Sequence, residues 1–133
     1  KKLEQEKILY LSYHDQLTGL YNRRFFEEEL KRLDTERNLP FTIAMVDVNG
    51  LKLTNDAFGH MMGDELLKKV SNIIKNECRS DDIIARIGGD EFVILFPKTG
   101  EKETHKIVER IYNAISNEKL ENKFRYHKFA TGR

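Results

Sequence analysis

The feature that most limits how this chain can fold is a pair of short apolar runs, residues 83–87 and 92–96, separated by Gly88, Gly89, Asp90 and Glu91. Two such runs around a glycine-rich break predict a β-hairpin. The glycines suit a tight turn because glycine tolerates positive φ. They do not account for two adjacent carboxylates at the tip. A second run, residues 41–48, reads as a buried strand and carries Asp47 near its end, where a carboxylate gains nothing from burial. If that strand lies beside the hairpin, Asp47 and Asp90 meet at one end of a sheet. Clustered carboxylates repel one another and require a compensating cation. An oxygen-rich site of this type suits Mg²⁺, often shared with substrate phosphates.

The rest of the chain supplies helices to cover such a sheet. Residues 22–36 read as a helix with Asn22 as N-cap and Phe26, Leu30 and Leu33 on one face. Residues 49–63 contain Gly50, Gly59 and Gly63 and read as a loop with a short helix. Leu66, Leu67, Val70, Ile73 and Ile74 recur at helical spacing to about residue 77, and Ile107, Ile111 and Ile115 align within a helix over 101–117. Residues 124–129 read as a further strand. The order predicts an α/β sandwich, with helices packed on a mostly antiparallel sheet. Residues 1–13 place Leu3, Ile8 and Leu11 on one stripe, as in a solvated leader helix or the end of a coiled coil arriving from an upstream domain.

Composition narrows the function classes. With 39% hydrophobic and 34% charged residues over 133 positions, the chain can build one core and is not a disordered segment. A net charge of +1 supplies no basic field for nucleic acid, so a phosphate ligand needs a local site. The single cysteine, Cys78, excludes an internal disulfide and suits a reducing cytoplasm. No run is long and apolar enough to span a membrane, and the charged start lacks the apolar stretch of a signal peptide. Both points are compatible with a cytoplasmic domain of a longer, membrane-anchored protein.

Four ordered segments carry a family resemblance. Asp15-Gln16-Leu17-Thr18-Gly19-Leu20-Tyr21-Asn22-Arg23-Arg24 comes first, then the run from Asp47 to Asp56, then Gly59-His60-Met61-Met62-Gly63-Asp64, then Arg86 to Phe92. Together they span roughly residues 14–97 and resemble the GGDEF family of diguanylate cyclases. The resemblance implies a palm-like, ferredoxin-like fold with the hairpin at its active site. It also implies that two GTP molecules become cyclic di-GMP and two pyrophosphates. Each 3′-hydroxyl attacks the α-phosphate of the other GTP across a dimer of domains.

The resemblance implies roles residue by residue. Asp47, the backbone carbonyl of Val48, Asp90 and Glu91 match the set holding two Mg²⁺ (Mn²⁺ is an alternative ion), and Glu91 is also a candidate to take the 3′-hydroxyl proton or to support the metal ligands. Lys52 matches the lysine on the β- and γ-phosphates. Asn55 and Asp64 match the guanine-reading pair, and either can also cap a helix because each precedes a helical stretch. Gly88 and Gly89 let the backbone approach the α-phosphate. Arg86 has two readings, a ligand contact or a salt bridge on the sheet.

Arg79 and Asp82 fit the family's inhibitory product site, where an R-x-x-D pattern stands nine positions before the first hairpin glycine; the alternative is a loop ion pair. Arg110 is a further candidate contact for the same ligand. The resemblance therefore implies cyclic di-GMP as product and inhibitor, a second GGDEF domain as catalytic partner and an upstream sensor. Asn49, Gly50 and Leu51 depart from the common Asp, His and Phe. After Phe129-Ala130-Thr131-Gly132-Arg133 the usual last strand and helix are not found. Residues 14–133 are accordingly expected to be a GGDEF domain lacking that end, with weak or no activity until it is supplied. The alternative is an inactive GGDEF module that binds cyclic di-GMP or GTP in signalling.

Overall fold

The computed structural model describes residues 2–49 and 51–129, with the backbone alone at 2, 52–54, 128 and 129. Helix α1 (Lys2–Tyr13) leads into α2 (Arg23–Leu33), followed by strand β1 (Phe41–Asn49), α3 (Leu51–Phe58) and α4 (His60–Glu77). The hairpin strands β2 (Ile83–Arg86) and β3 (Glu91–Phe96) come next, then α5 (Glu101–Asn117) and β4 (Glu121–Phe129). The strands form one antiparallel sheet in the order β2-β3-β1-β4. This is the helix-flanked, mostly antiparallel architecture that the sequence predicts.

Side chains alternate across β1 and β3, and that alternation divides the core. Ala44, Val46, Val48, Phe92, Ile94 and Phe96 point to one face, where Leu67, Val70 and Ile74 of α4 and Ile107, Ile111 and Ile115 of α5 cover them. Phe41, Ile43, Val93 and Leu95 point to the other, against Phe26, Leu30 and Leu33 of α2. Phe92 and Phe96 are fully buried. Each such side chain stabilises the fold by roughly 1.5–3 kcal/mol. Helix α2 begins where the sequence places its cap: the Asn22 side chain accepts a hydrogen bond from the Phe25 N–H at 3.0 Å. It ends at Leu33 rather than at residue 36, because the apolar stripe ends there and Asp34 leaves helical geometry.

Helix α1 forms as expected, and its apolar stripe faces outward, with Leu3 80% and Ile8 62% exposed. Strand β4 is longer than the sequence suggests and begins at Glu121. Its first residues are polar and give no apolar run to read. No helix among the described residues is long and apolar enough to cross a membrane.

Candidate functional site

The register of β1 against β3 sets Asp47 opposite Glu91, and the Val48 N–H donates to the Asp90 carbonyl at 3.0 Å. The pairing brings three side chains together: carboxylate oxygens of Asp47, Asp90 and Glu91 all lie within 4.8 Å of one another. Asp90 is exposed, while Asp47 and Glu91 are half-buried. Alternation puts Asp47 on the same sheet face as Ile43 and Met45, so the acidic cluster continues one face of the sheet beyond its apolar part. Like charges this close repel. The Arg125 guanidinium of β4 comes within 3.7 Å of Asp47, but with 69% of its side chain exposed it is a solvent-screened partner. An oxygen-only donor set of three carboxylates fits a hard divalent cation. Val48, the expected backbone ligand, is fully buried beside Asp47.

The hairpin tip differs from expectation in how it turns. Among the described glycines, positive φ occurs at Gly19 (76°) and Gly59 (91°), and not at Gly88 or Gly89. The connection, residues 87–90, is long enough to reverse the chain through ordinary negative φ. Gly88 instead provides close approach, since a Cβ there would stand 3.3 Å from Glu91 Oε1. At Gly89 a Cβ would meet nothing within 4 Å. Its carbonyl is engaged, however: it accepts hydrogen bonds from Arg86 Nη2 at 2.9 Å and Nε at 3.2 Å.

Arg86 has a structural partner as well. Its Nη1 donates to both oxygens of Asp15, at 3.1 and 3.3 Å, which ties the turn after α1 to the hairpin tip. Asp15 also accepts from the Thr18 N–H at 2.9 Å and from the Thr18 hydroxyl at 2.7 Å. Burial pushes the Asp15 carboxyl up, but the Thr18 hydrogen bonds and the Arg86 guanidinium together hold it below its ordinary value.

Asn55 and Asp64 do not cap helices. Asn55 lies inside α3, and Asp64 lies within α4, whose N-cap is Gly59. Both helices start earlier than the polar residues suggest, so these side chains project from helix surfaces. Asp64 is exposed. Asn55 is half-buried, and its Oδ1 is buried with no hydrogen-bond partner among the described residues. The Lys52 side chain and Gly50 lie outside the described residues.

The second group of candidates is at the start of β2. The Asp82 carboxylate is fully buried and is held by the Arg79 N–H at 2.7 Å and by Arg79 Nη2 at 3.1 Å. Arg79 also donates to the Thr99 hydroxyl and lies 3.8 Å from Glu103. Hydrogen bonding to Asp82 raises the Arg79 guanidinium above its ordinary value. With both Asp82 oxygens engaged, the half-exposed guanidinium is the part of this pair that faces solvent. Arg110 of α5 pairs with Glu77 at 2.8 Å. The charges of Arg79, Asp82, Glu77 and Arg110 all act on the Cys78 thiol, which burial and then Asp82 push up to about 12. The salt-bridge reading of Arg86 holds, and its partner Asp15, like those of Thr99 and Arg125, has no local signal in the sequence because it is distant along the chain.

Residues 12–131 match the family model described as "Diguanylate cyclase, GGDEF domain". Diguanylate cyclase DosC of Escherichia coli K12 is 40% identical over 109 residues, a match covering 80% of this chain and 24% of DosC. Among solved structures, the coiled coil and GGDEF domain of DgcB from Caulobacter crescentus, in complex with c-di-GMP, superposes with a TM-score of 0.88. That likeness covers 99% of this chain and 77% of DgcB at 23% identity, and shows the fold. Diguanylate cyclase SiaD of Pseudomonas aeruginosa, solved with its activator SiaC, has a TM-score of 0.81 at 26% identity, covering 99% of this chain and 56% of SiaD. The chain spans about a quarter of the length of its curated relative DosC, and by a family match over most of its own length it belongs to the GGDEF family of diguanylate cyclase domains.

Proposed function

We propose that this domain condenses two GTP molecules into cyclic di-GMP, with release of two pyrophosphates, when two copies face each other. The observation that carries this reading is the convergence of Asp47, Asp90 and Glu91 to within 4.8 Å. These three carboxylates and the Val48 carbonyl would hold Mg²⁺. The ion, when bound, neutralises phosphate charge and acidifies the attacking hydroxyl. In this reading Glu91, for whose carboxylate Gly88 leaves room, receives the 3′-hydroxyl proton directly or through water. Backbone at Gly88 and Gly89 approaches the α-phosphate, Lys52 meets the β- and γ-phosphates, and Asn55 and Asp64 read the guanine edge. A base lacking the matching donors leaves such groups unpaired and is rejected.

Arg79, with Arg110 nearby around Cys78, forms the regulatory site in this reading, and cyclic di-GMP is its ligand. Asp82 acts there by fixing the guanidinium. A receptor without catalysis would use the same two arginines. Helix α1, with its exposed stripe, links the domain to an upstream sensor in a cytoplasmic setting. The test is titration of the chain with GTP in Mg²⁺, in parallel with mass spectrometry of the products. GTP should bind only with Mg²⁺, and Asp47→Asn should abolish both binding and any cyclic di-GMP formed. GTP binding that ignores both Mg²⁺ and Asp47→Asn overturns the proposal. Cyclic di-GMP binding without GTP binding selects the receptor.

A further inference from the structure

Gly63 is buried in α4, a position where helix energetics alone would favour almost any other residue. The structure supplies a reason for the glycine. A Cβ built there would stand 1.8 Å from Asn55 Oδ1, 2.7 Å from its Cγ and 3.0 Å from its Nδ2. The carboxamide of Asn55 therefore meets the bare Cα of Gly63 edge-on, oxygen foremost. Among the described residues no hydrogen bond holds its Oδ1, which is buried. The described contact that bears on the amide's orientation is its packing against Gly63. The next residue, Asp64, is the other member of the base-reading pair, so one helical turn sets both groups.

We propose that Gly63 is a positioning residue for guanine recognition: its missing side chain orients the Asn55 carboxamide beside Asp64. This rests on the proposed role of Asn55 and Asp64 as guanine contacts. A methyl at position 63 collides with the far end of a flexible side chain rather than with backbone. The amide swings away and the fold persists, so the cost appears in base recognition.

The experiment titrates GTP and inorganic triphosphate, in Mg²⁺, into the parent chain, Gly63→Ala, Asn55→Ala and the double variant. Gly63→Ala should bind GTP about tenfold more weakly, the worth of one well-made hydrogen bond. Its affinity for inorganic triphosphate, which has no base, should be unchanged. The double variant should bind GTP no more weakly than Asn55→Ala, because no carboxamide remains to be displaced. Parental GTP affinity in Gly63→Ala, or a double variant weaker than Asn55→Ala, overturns the inference. If Gly63→Ala unfolds, the double variant, which lacks the collision, still decides. An Asn55→Ala variant that binds GTP like the parent instead removes the guanine reading, and this inference falls with it.

Discussion

Replacing Arg86 by Ala removes a guanidinium that joins segments 71 residues apart, the turn after α1 and the hairpin tip. The side chains of Arg86 and Asp15 are 17% and 20% exposed, so the pair is neither buried nor freely solvated. Breaking a fully buried pair costs about 3–5 kcal/mol. An exposed pair is worth less than about 1 kcal/mol. Charge-assisted hydrogen bonds fall at about 1.5–3 kcal/mol. The intermediate exposure therefore gives about 2 kcal/mol for Arg86→Ala. In a domain of this size, that lowers the melting temperature by roughly 6–10 °C. Thermal and urea unfolding followed by circular dichroism would measure it, and a double-mutant cycle with Asp15→Asn should show coupling of about 1 kcal/mol or more.

The clamp also has a pH signature. The Asp15 carboxyl is held below its ordinary value of 3.8 in the fold, so its contribution is present above that value and lost as pH falls through the folded pKa. The stability gap between the parent and Arg86→Ala should be constant near neutrality and narrow below about pH 4. Additive single variants, or a gap that does not narrow in acid, would refute the assignment of the stabilisation to this pair.

Two further outcomes follow from the same geometry. Replacing Asp90 by Asn together with Glu91 by Gln relieves like-charge repulsion, so thermal melts without metal should show equal or slightly higher stability, by up to about 1 kcal/mol, while stabilisation by Mg²⁺ disappears. Because burial pushes the Cys78 thiol up to about 12, iodoacetamide at neutral pH should label it at least about 100-fold more slowly than free cysteine, with full reactivity restored in urea.

How much could be read in advance depended on how local each feature is. Helix α5 lies where its isoleucine spacing puts it, and the Asn22 cap closes within three residues. The meeting of Asp47 with the hairpin carboxylates was legible too, because both strands are apolar enough to require pairing. A salt bridge at Arg86 was legible, but its partner Asp15 was not, since nothing local marks which of many charges an arginine will find across 71 residues. The early part of β4 was not either: Lys123 and Arg125 are exposed, and Asn122 is buried without an apolar side chain. The turn at Gly88 was legible as a turn but not in its backbone geometry, which depends on how many residues the loop uses.

The features that sequence rules explain least lie in or beside the candidate site. A helix would exclude glycine at position 63, electrostatics would separate Asp47, Asp90 and Glu91, and a four-residue turn does not require glycine at 88 when its φ is not positive. Gly63 and Gly88 each leave room for a neighbouring side chain, Asn55 and Glu91 respectively, and the three carboxylates form a donor set that fits a divalent cation. Helix α3 begins two residues after β1 ends, so Asn55 stands about one helical turn beyond the strand that carries Asp47. A fold selected only for stability would remove such conflicts one at a time, because each is independently correctable. Their concentration along β1, its following helices and the paired hairpin is what the proposed GTP site would require.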